Sequence, residues 1–336
     1  MTANDSLGRF LQRKHLQLFE KLYPFQVSLD EEGNARFHLR VNNSLMYIKP
    51  ENIGSILIQT LVDAANKNLS IPAKKVVISV PAEFDDRQRN FTKKTATSLG
   101  LEVMRVINEP TAAAMAYGLH SVPSLRYIVV VDLGGGTLDV SLLNVQGGMF
   151  LTLAMAGNNH LGGQDFNQRL TKYLLDIINK RFGRSLTNKE DKQTLRLQVE
   201  TVKLELTRQY TSNISMTISS FEGAPLFQET VSRTTFEDLN ADLFSKVLEP
   251  IKTVLNITEM DKQEVHDIVL VGGSTRIPKI RELIRDYFNK EPNTSVEPDL
   301  AVAIGVSIQA GIIGGMWPLT VSAVERQTKV KKIHIS

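Results

Sequence analysis

A glycine-rich turn between two apolar strands sets the strongest limit on how this chain can fold. The run Tyr127–Val131 (YIVVV) is followed by DLGGGT at Asp132–Thr137 and then by a second apolar run, Leu138–Val145. Two β-prone runs joined by so short a turn predict an antiparallel hairpin. A dinucleotide site would need a strand, a loop and then a helix, so the sequence does not favour one here.

Outside this hairpin the chain alternates strand-like and helix-like segments, which predicts an α/β fold. Pro50 and Pro278 stand where a helix begins, and Gly100 stands where one ends. The basic end, Lys329–His334, is expected to be a frayed tail. The other predicted strands are Val76–Val80, Leu101–Asn108, two within Asn213–Val231, and Ile268–Val271. The predicted helices begin at Pro50, Asp85, Pro110, Gly163, Asn188, Thr235, Pro278 and Pro298, with a single helix over Thr235–Leu255.

The composition is that of a globular chain and excludes several kinds of site. The chain has 336 residues, 42% of them hydrophobic, which is enough apolar material for one large or two ordinary domains. A formal net charge of +3 is too small to indicate nucleic-acid binding. The absence of cysteine removes disulfides, thiolate nucleophiles and cysteine-ligated zinc. With no visible signal peptide or membrane span, the chain as written is expected to be cytoplasmic.

The DLGGGT turn has the composition of a phosphate-binding loop. Glycines let the backbone approach an anion closely, and their successive N–H groups can form a concave nest for phosphate. Asp132 is placed to hold a hydrated Mg²⁺, and Asp139 could face the same cavity. The alternative is an ordinary tight hairpin, which would need only one or two glycines. Three glycines between an acidic residue and a hydroxyl favour phosphate.

The other candidate positions each keep a structural alternative. Gly272 and Gly273 follow an apolar strand and could lie against a ligand ring, or could serve packing, with Ser274 expected as a helix N-cap. Glu109 precedes a proline, which should keep the backbone of Glu109 non-helical. Its carboxylate could serve only as a helix cap. Glu200 and Lys203 could form a solvated salt bridge. The six histidines show no metal-binding spacing, and the P-loop, zincin and α/β-hydrolase motifs are missing.

Five motifs in register resemble the ATPase domain of the 70-kDa heat-shock chaperone family. They are VVISVPAEFDDRQRN (76–90), INEPTAAAMAYGL (107–119), DLGGGTLDVS (132–141), HLGGQDFNQRL (160–170) and IVLVGGSTRIPKI (268–280). The resemblance runs from about Ile48 to Pro318 and implies an actin-like, ribonuclease H-like fold with two lobes around a nucleotide cleft. The segments SLLNVQGGMF (141–150) and GGMWPL (314–319) are most similar to a microsomal branch of this family that lacks the peptide-binding domain.

The resemblance implies a role for each matching position, with ATP or ADP and Mg²⁺ as ligands. Asp132 and Glu109 match carboxylates that hold Mg²⁺ through water, and Asp139 matches a carboxylate of the cation site. Gly134, Gly135, Gly136 and Thr137 match the loop around the β- and γ-phosphates. The adenosine side is matched by Gly272, Gly273, Ser274, Arg276, Glu200, Lys203 and Asp299.

The resemblance also implies a domain layout and departures from the family pattern. Residues 1–122 are expected to form an incomplete first lobe, 123–293 a second lobe with 163–238 as its outer subdomain, 294–318 a return to the first lobe, and 319–336 a tail. The family's first phosphate hairpin, Asp-Leu-Gly-Thr-Thr, has no counterpart in the sequence. Gly8 stands where the family has a catalytic lysine, Leu204 where it has an arginine, and Ile304 where it has an aromatic residue.

The leading hypothesis is an ATP-binding stress-70-type core with weak Mg-dependent hydrolysis. Losing one side of the phosphate cage removes electrostatic stabilisation of the transition state. The alternatives are a non-enzymatic module that regulates chaperone or ubiquitin-like partners, and an actin-fold small-molecule kinase, for which no acceptor pocket is visible. Co-chaperones and nucleotide-exchange factors are the expected partners. The resemblance implies the endoplasmic reticulum lumen if an upstream signal exists.

Overall fold

The computed structural model describes residues 26–31, 33–42, 44–121, 123–124, 126–315, 324–325 and 330–335. These residues form two compact units. The first unit ends at Met115 and resumes from Ala303, and the second comprises Ala116–Val302 together with the described residues of the tail.

The first unit combines an antiparallel three-stranded sheet with a parallel strand pair. The Asp85 carboxylate caps a helix between the paired strands by accepting a hydrogen bond from Gln88 N (2.8 Å). Gly100, at a φ of +75°, then turns the chain into the second strand of the pair. The elements are β1 (Val27–Leu29), β2 (Ala35–Val41), β3 (Ser44–Ile48), α1 (Pro50–Asn66), β4 (Lys75–Val80), α2 (Asp86–Thr97), β5 (Glu102–Asn108) and α3 (Glu109–Ala116).

The second unit is built on a twisted mixed sheet. Its central strands are β6 (Arg126–Leu133), β7 (Leu138–Gln146) and β8 (Met149–Asn158), which form an antiparallel meander. A hairpin of β9 (Thr211–Thr217) and β10 (Leu226–Ser232) lies apart from it, and β11 (Asp267–Val271) pairs in parallel with β6. Because helices and neighbouring strands cover β6 closely, its YIVVV run is apolar without alternation.

Helices complete the second unit. Phe166 and Phe244 meet edge to face in the core, with ring centroids 5.0 Å apart. The helices are α4 (Gly163–Phe182), α5 (Lys189–Leu206), α6 (Arg233–Leu239), α7 (Ala241–Ser245), α8 (Leu248–Ile257), α9 (Pro278–Phe288) and the start of α10 (Ala301–Ile313). The described part of the chain contains no helix that is both long enough and apolar enough to cross a membrane.

Two predictions about helices were wrong. The single helix over Thr235–Leu255 is instead three short ones, because the buried Asn240 leaves helical geometry and donates its side-chain amide to Phe236 O (2.9 Å). The last helix begins at Ala301 rather than Pro298, because Pro298 O accepts a hydrogen bond from Gly272 N (2.9 Å).

The described residues near the end of the sequence include two strand segments, so the prediction of a frayed tail was wrong for them. Two short strands, β12 (Val324–Glu325) and β13 (Ile333–His334), each pair in parallel with β8. The sequence prediction also missed β8 itself, although two consecutive glycines, Gly147 and Gly148, both at positive φ, mark the tight turn that precedes it.

Candidate nucleotide site

The DLGGGT segment forms the turn between β6 and β7. Gly134 N donates to Thr137 O (3.0 Å) and closes the loop, while Leu133 and Leu138 on either side of it are buried in the sheet. Side chains placed at Gly135 or Gly136 would meet no heavy atom within 4 Å, so the loop faces open space. The loop therefore leaves the open space that a phosphate group would need, and a larger residue would reduce that space.

The first residues of α4 pack behind this loop. Gly163 N donates to Gly134 O (3.1 Å), and Gln164 N donates to Gly135 O (2.7 Å). A Cβ at Gly162 would overlap the backbone of Gly136, so only glycine allows the helix to come this close. The loop is thus held in position by the backbone of the helix behind it.

Asp132 and Asp139 lie directly opposite each other on β6 and β7. Burial raises the pKa of Asp132 to about 7, and the Asp139 carboxylate adds to the rise. The described residues contain no group of three or more acidic or histidine side chains arranged as a metal site. Two adjacent carboxylates beside the glycine turn suit a Mg²⁺ ion that keeps most of its waters.

The second glycine loop follows β11 and contacts the first. Gly272 adopts a φ of +82°, and a Cβ there would overlap Leu133 O. The Ser274 hydroxyl donates to Gly134 O (2.8 Å) and joins the two loops directly. The prediction that Ser274 is a helix N-cap was wrong, since α9 begins after Ile277 without a side-chain cap.

Glu200 and Lys203 form an ion pair on α5 that is only partly open to solvent. Lys203 Nζ lies 2.9 Å from Glu200 Oε2, and the same oxygen accepts from Asn167 Nδ2 (2.6 Å). Burial opposes ionisation of Glu200, but the hydrogen bonds from Lys203 and Asn167 outweigh it and lower its pKa. The sequence left open that Glu200 and Lys203 form a solvated surface salt bridge. That alternative is wrong for Lys203, because this residue is only 7% exposed. Asn167 was not predicted from the sequence as a site residue. The available signal was its position in α4, one turn after Gly163.

Arg276 is fixed by two carboxylates in the segment that follows. Its guanidinium contacts both Glu297 and Asp299, which brings Asp299 to the second glycine loop. Glu297 was not singled out from the sequence. A shallow surface depression, too small to enclose a water molecule, lies next to Lys203 and is lined by Thr207, Arg233 and Ile277, among other residues.

A family model described as Hsp70 protein matches residues 2–325. The chain belongs to the Hsp70 family. Heat shock 70 kDa protein 13 of Rattus norvegicus is 47% identical to it, over 97% of this chain and 78% of the rat protein. The Homo sapiens protein of the same name is 45% identical over the same shares. The predicted family resemblance and the actin-like fold are confirmed, since the Hsp70 ATPase domain is actin-like and the structure is mixed α/β with several sheets.

The remaining positions predicted from the Hsp70 family pattern are spread along the chain. Glu109 belongs to the first unit, where it is the first residue of α3. The prediction that Glu109 has a non-helical backbone was therefore wrong. The proline that follows it has a φ suited to the first turn of a helix. Leu204 is half-exposed on α5, Ile304 lies partly exposed on α10, and Gly8 lies outside the described residues.

One charged residue at this site belongs to no Hsp70 motif quoted from the sequence. Lys332 Nζ, from the tail, lies 2.5 Å from Asp139 Oδ1 and 2.9 Å from Asn159 Oδ1. The basic run that contains it was predicted to be a frayed tail. No local signal marks Lys332 as different from its neighbour Lys331, because the difference arises from the pairing of β13 with β8.

Proposed function

We propose that this chain is a stress-70-type ATPase core that binds ATP and ADP with Mg²⁺ and hydrolyses ATP slowly. The observation that supports this most strongly is the hydrogen bond between the two glycine loops, from Ser274 Oγ to Gly134 O (2.8 Å). It joins a loop suited to phosphate to a loop suited to the nucleoside, so one ligand that carries both groups can contact both loops.

Each group in the site has a task in this proposal. The backbone N–H groups of Gly135, Gly136 and Thr137 hold phosphate oxygens, since Gly134 N is already bonded to Thr137 O. Asp132 and Asp139 hold the water ligands of Mg²⁺, and Glu109 matches a further Mg²⁺ carboxylate by family resemblance. Bound Mg²⁺ supplies positive charge that neutralises the phosphates. Lys203 and Glu200 offer a donor and an acceptor to the ribose hydroxyls, and the loop that ends in Arg276 borders the base.

We propose slow hydrolysis because the sequence supplies one of the two phosphate hairpins of the family. Gly8 stands where the family places a lysine, and the Asp-Leu-Gly-Thr-Thr pattern does not occur among the 336 residues. Donors on one side of the phosphate can hold the ground state, but they stabilise less of the charge that develops in the transition state. Co-chaperones, exchange factors or ubiquitin-like proteins as partners, and the endoplasmic reticulum lumen as location, extend this proposal from the family resemblance.

The test of binding is calorimetry with Mg²⁺–ADP on the full chain and two variants. Gly135→Val places a branched side chain in the open space before the loop and should abolish binding, while Gly135→Ala should weaken it less. Neither change meets a neighbouring atom within 4 Å of the new Cβ, so thermal melting should remain close to that of the parent. Equal affinity in all three proteins would refute the phosphate loop, and absence of binding by the parent would favour the interaction-module alternative.

The test of rate is single-turnover ATP hydrolysis. The parent chain is compared with a variant that carries a grafted Asp-Leu-Gly-Thr-Thr hairpin and Gly8→Lys. The graft should raise the rate at least about tenfold, which corresponds to about 1.4 kcal/mol of recovered transition-state stabilisation. Equal rates would mean that these elements do not limit turnover.

A further inference from the structure

We propose that Lys332 is a tethered cation of the nucleotide site, which takes the place beside Asp139 that a free cation would otherwise occupy. This inference rests on the proposed function, because it assigns a competitor to the metal that the site would hold. The contacts that carry it all lie within the second unit: the ion pair with Asp139 (2.5 Å) and the hydrogen bond to Asn159 (2.9 Å).

The backbone of the tail delivers this side chain. In the parallel pairing of β13 with β8, Ile333 lies opposite Ala156 and His334 lies opposite Gly157. Ile335 N then donates to Gly157 O (2.8 Å) and continues the ladder. Strand addition of this kind fixes the register, and the register decides which of the two consecutive lysines faces the carboxylates.

A glycine on β8 makes room for the lysine. Gly157 is the cross-strand partner of Asp139, and a Cβ at that position would overlap Leu138 O and would lie 2.6 Å from Lys332 Cε and 3.1 Å from Asp139 Oδ1, so the strand pairing and the lysine both need a glycine there. With this space free, the lysine stem passes over the strand and its ammonium reaches the carboxylate. The Lys332 side chain is only 4% exposed, whereas Asp139 is 41% exposed. A lysine is almost never so deeply buried unless it is paired.

The charge of Lys332 has opposite consequences for the two components of a metal–nucleotide complex. Asp132 and Asp139 offer a divalent ion two carboxylates, and the ammonium neutralises one of them and occupies its oxygen. The tail should therefore weaken binding of the metal alone and strengthen binding of a metal-free phosphate anion. By linkage, a bound divalent ion must loosen the tail by the same factor as the tail weakens the ion.

The matched variants are Lys332→Gln and Lys331→Gln. Both remove one positive charge from adjacent positions, but the Lys331 side chain is exposed to solvent, whereas Lys332 is buried against Asp139. The probe is Mn²⁺ without nucleotide, with the free ion measured by electron paramagnetic resonance. Lys332→Gln should bind Mn²⁺ about fivefold more tightly than the parent, while Lys331→Gln should match the parent.

Two further measurements separate the possible failures. Metal-free ADP should bind more weakly to Lys332→Gln, and Mg²⁺ should accelerate hydrogen exchange at the Ile335 amide of the parent. Equal or weaker Mn²⁺ binding by Lys332→Gln, while the parent still binds Mg²⁺–ADP, would overturn the tethered cation and leave the proposed function standing. Absence of Mg²⁺–ADP binding by the parent and by both variants would overturn the proposed function and the tethered cation with it.

Discussion

Neighbouring glycines at the second loop have different physical reasons to be glycine. Gly272 combines a positive φ with close approach to the carbonyl of Leu133, and its Cβ position also lies 2.8 Å from Asp132 Oδ1. Gly273 has neither constraint, because nothing lies within 4 Å of a Cβ there. The sequence shows both as one Gly-Gly pair, whereas the backbone distinguishes a glycine that the fold requires from one with open space around it.

Alanine should therefore destabilise the protein at Gly272 but not at Gly273, as measured by urea titration. Gly272→Ala should lower the free energy of unfolding by about 1–3 kcal/mol through backbone strain and overlap. Gly273→Ala should leave the unfolding midpoint within about 0.5 kcal/mol of the parent, as expected for an open position. A stable Gly272→Ala protein would mean that the loop does not require the conformation described above.

Glu200 and Lys203 should also respond unequally to substitution. Glu200→Gln leaves the nearly buried Lys203 ammonium with a neutral partner, which should cost about 1–3 kcal/mol of unfolding free energy. Lys203→Met leaves a carboxylate that reaches water, so the loss of stability should be smaller. Chemical denaturation of both variants measures the difference, and an equal or reversed order would contradict the burial of this lysine.

At the scale of elements, Asp191 ties the start of α5 to the β9–β10 hairpin. Its carboxylate accepts hydrogen bonds from Ser219 N (3.2 Å) and Ser220 N (3.0 Å). Burial opposes ionisation, but the hydrogen bonds from Ser220 and Ser219 outweigh it and lower the pKa of Asp191. The ionised carboxylate is thus bound more favourably in the folded chain than in the unfolded one.

Asp191→Asn should lower the free energy of unfolding at pH 7 by about 1–2 kcal/mol, because an amide oxygen replaces a charged acceptor. The lowered pKa stabilises the folded chain above the pKa of the unfolded chain, and this contribution is lost as the pH falls through the folded value. The difference between parent and variant should therefore shrink below about pH 4.

Glu190→Gln is the matched control, since Glu190 is exposed in the same helical turn. Urea titrations from pH 7 to pH 3 measure both variants. A pH-independent difference for Asp191→Asn, or an equal loss for Glu190→Gln, would contradict the role assigned to the Asp191 hydrogen bonds.

Most elements could be predicted because their signals are local. Pro50 and Pro278 each begin a helix where the sequence placed it, and the DLGGGT turn joins two strands as expected. The break at Asn240 could not be predicted from periodicity, since a buried amide bonded to its own helix interrupts an otherwise helical pattern. Local signals also identified the glycine loops of the site, whereas the contact from Ser274 to Gly134 joins residues 140 positions apart.

At the scale of the whole molecule, the two units differ in how completely they bury apolar residues. Val129 and Val131 in β6 are fully buried, whereas Leu45, Met46 and Tyr47 in β3 are about half exposed. In α1 of the first unit, Ile56, Leu57 and Leu61 are also exposed. The sheet of the second unit therefore has the burial that makes a folding unit cooperative, and the β1–β3 sheet has less of it.

Hydrogen exchange should reflect this difference. The amides of Val129–Val131 should exchange at least about a hundredfold more slowly than those of Leu45–Tyr47. The reason is that local opening of Leu45–Tyr47 should cost about 3 kcal/mol less free energy than opening of Val129–Val131. Mass spectrometry of peptic fragments measures both segments in one experiment. Equal protection of the two segments would show that the first unit is stabilised by interactions that this burial pattern does not include.

The pairing of the tail with β8 has a practical consequence for anyone who handles this protein. A label attached beside Ile335 lies next to a residue whose amide is bonded to the strand that carries Gly157. Such a label disturbs the same short strand that places Lys332 beside Asp139, so nucleotide affinities measured with it would include the effect of that disturbance. A fluorophore attached deliberately at Lys331 would instead turn this proximity into an optical signal of whether the tail is docked.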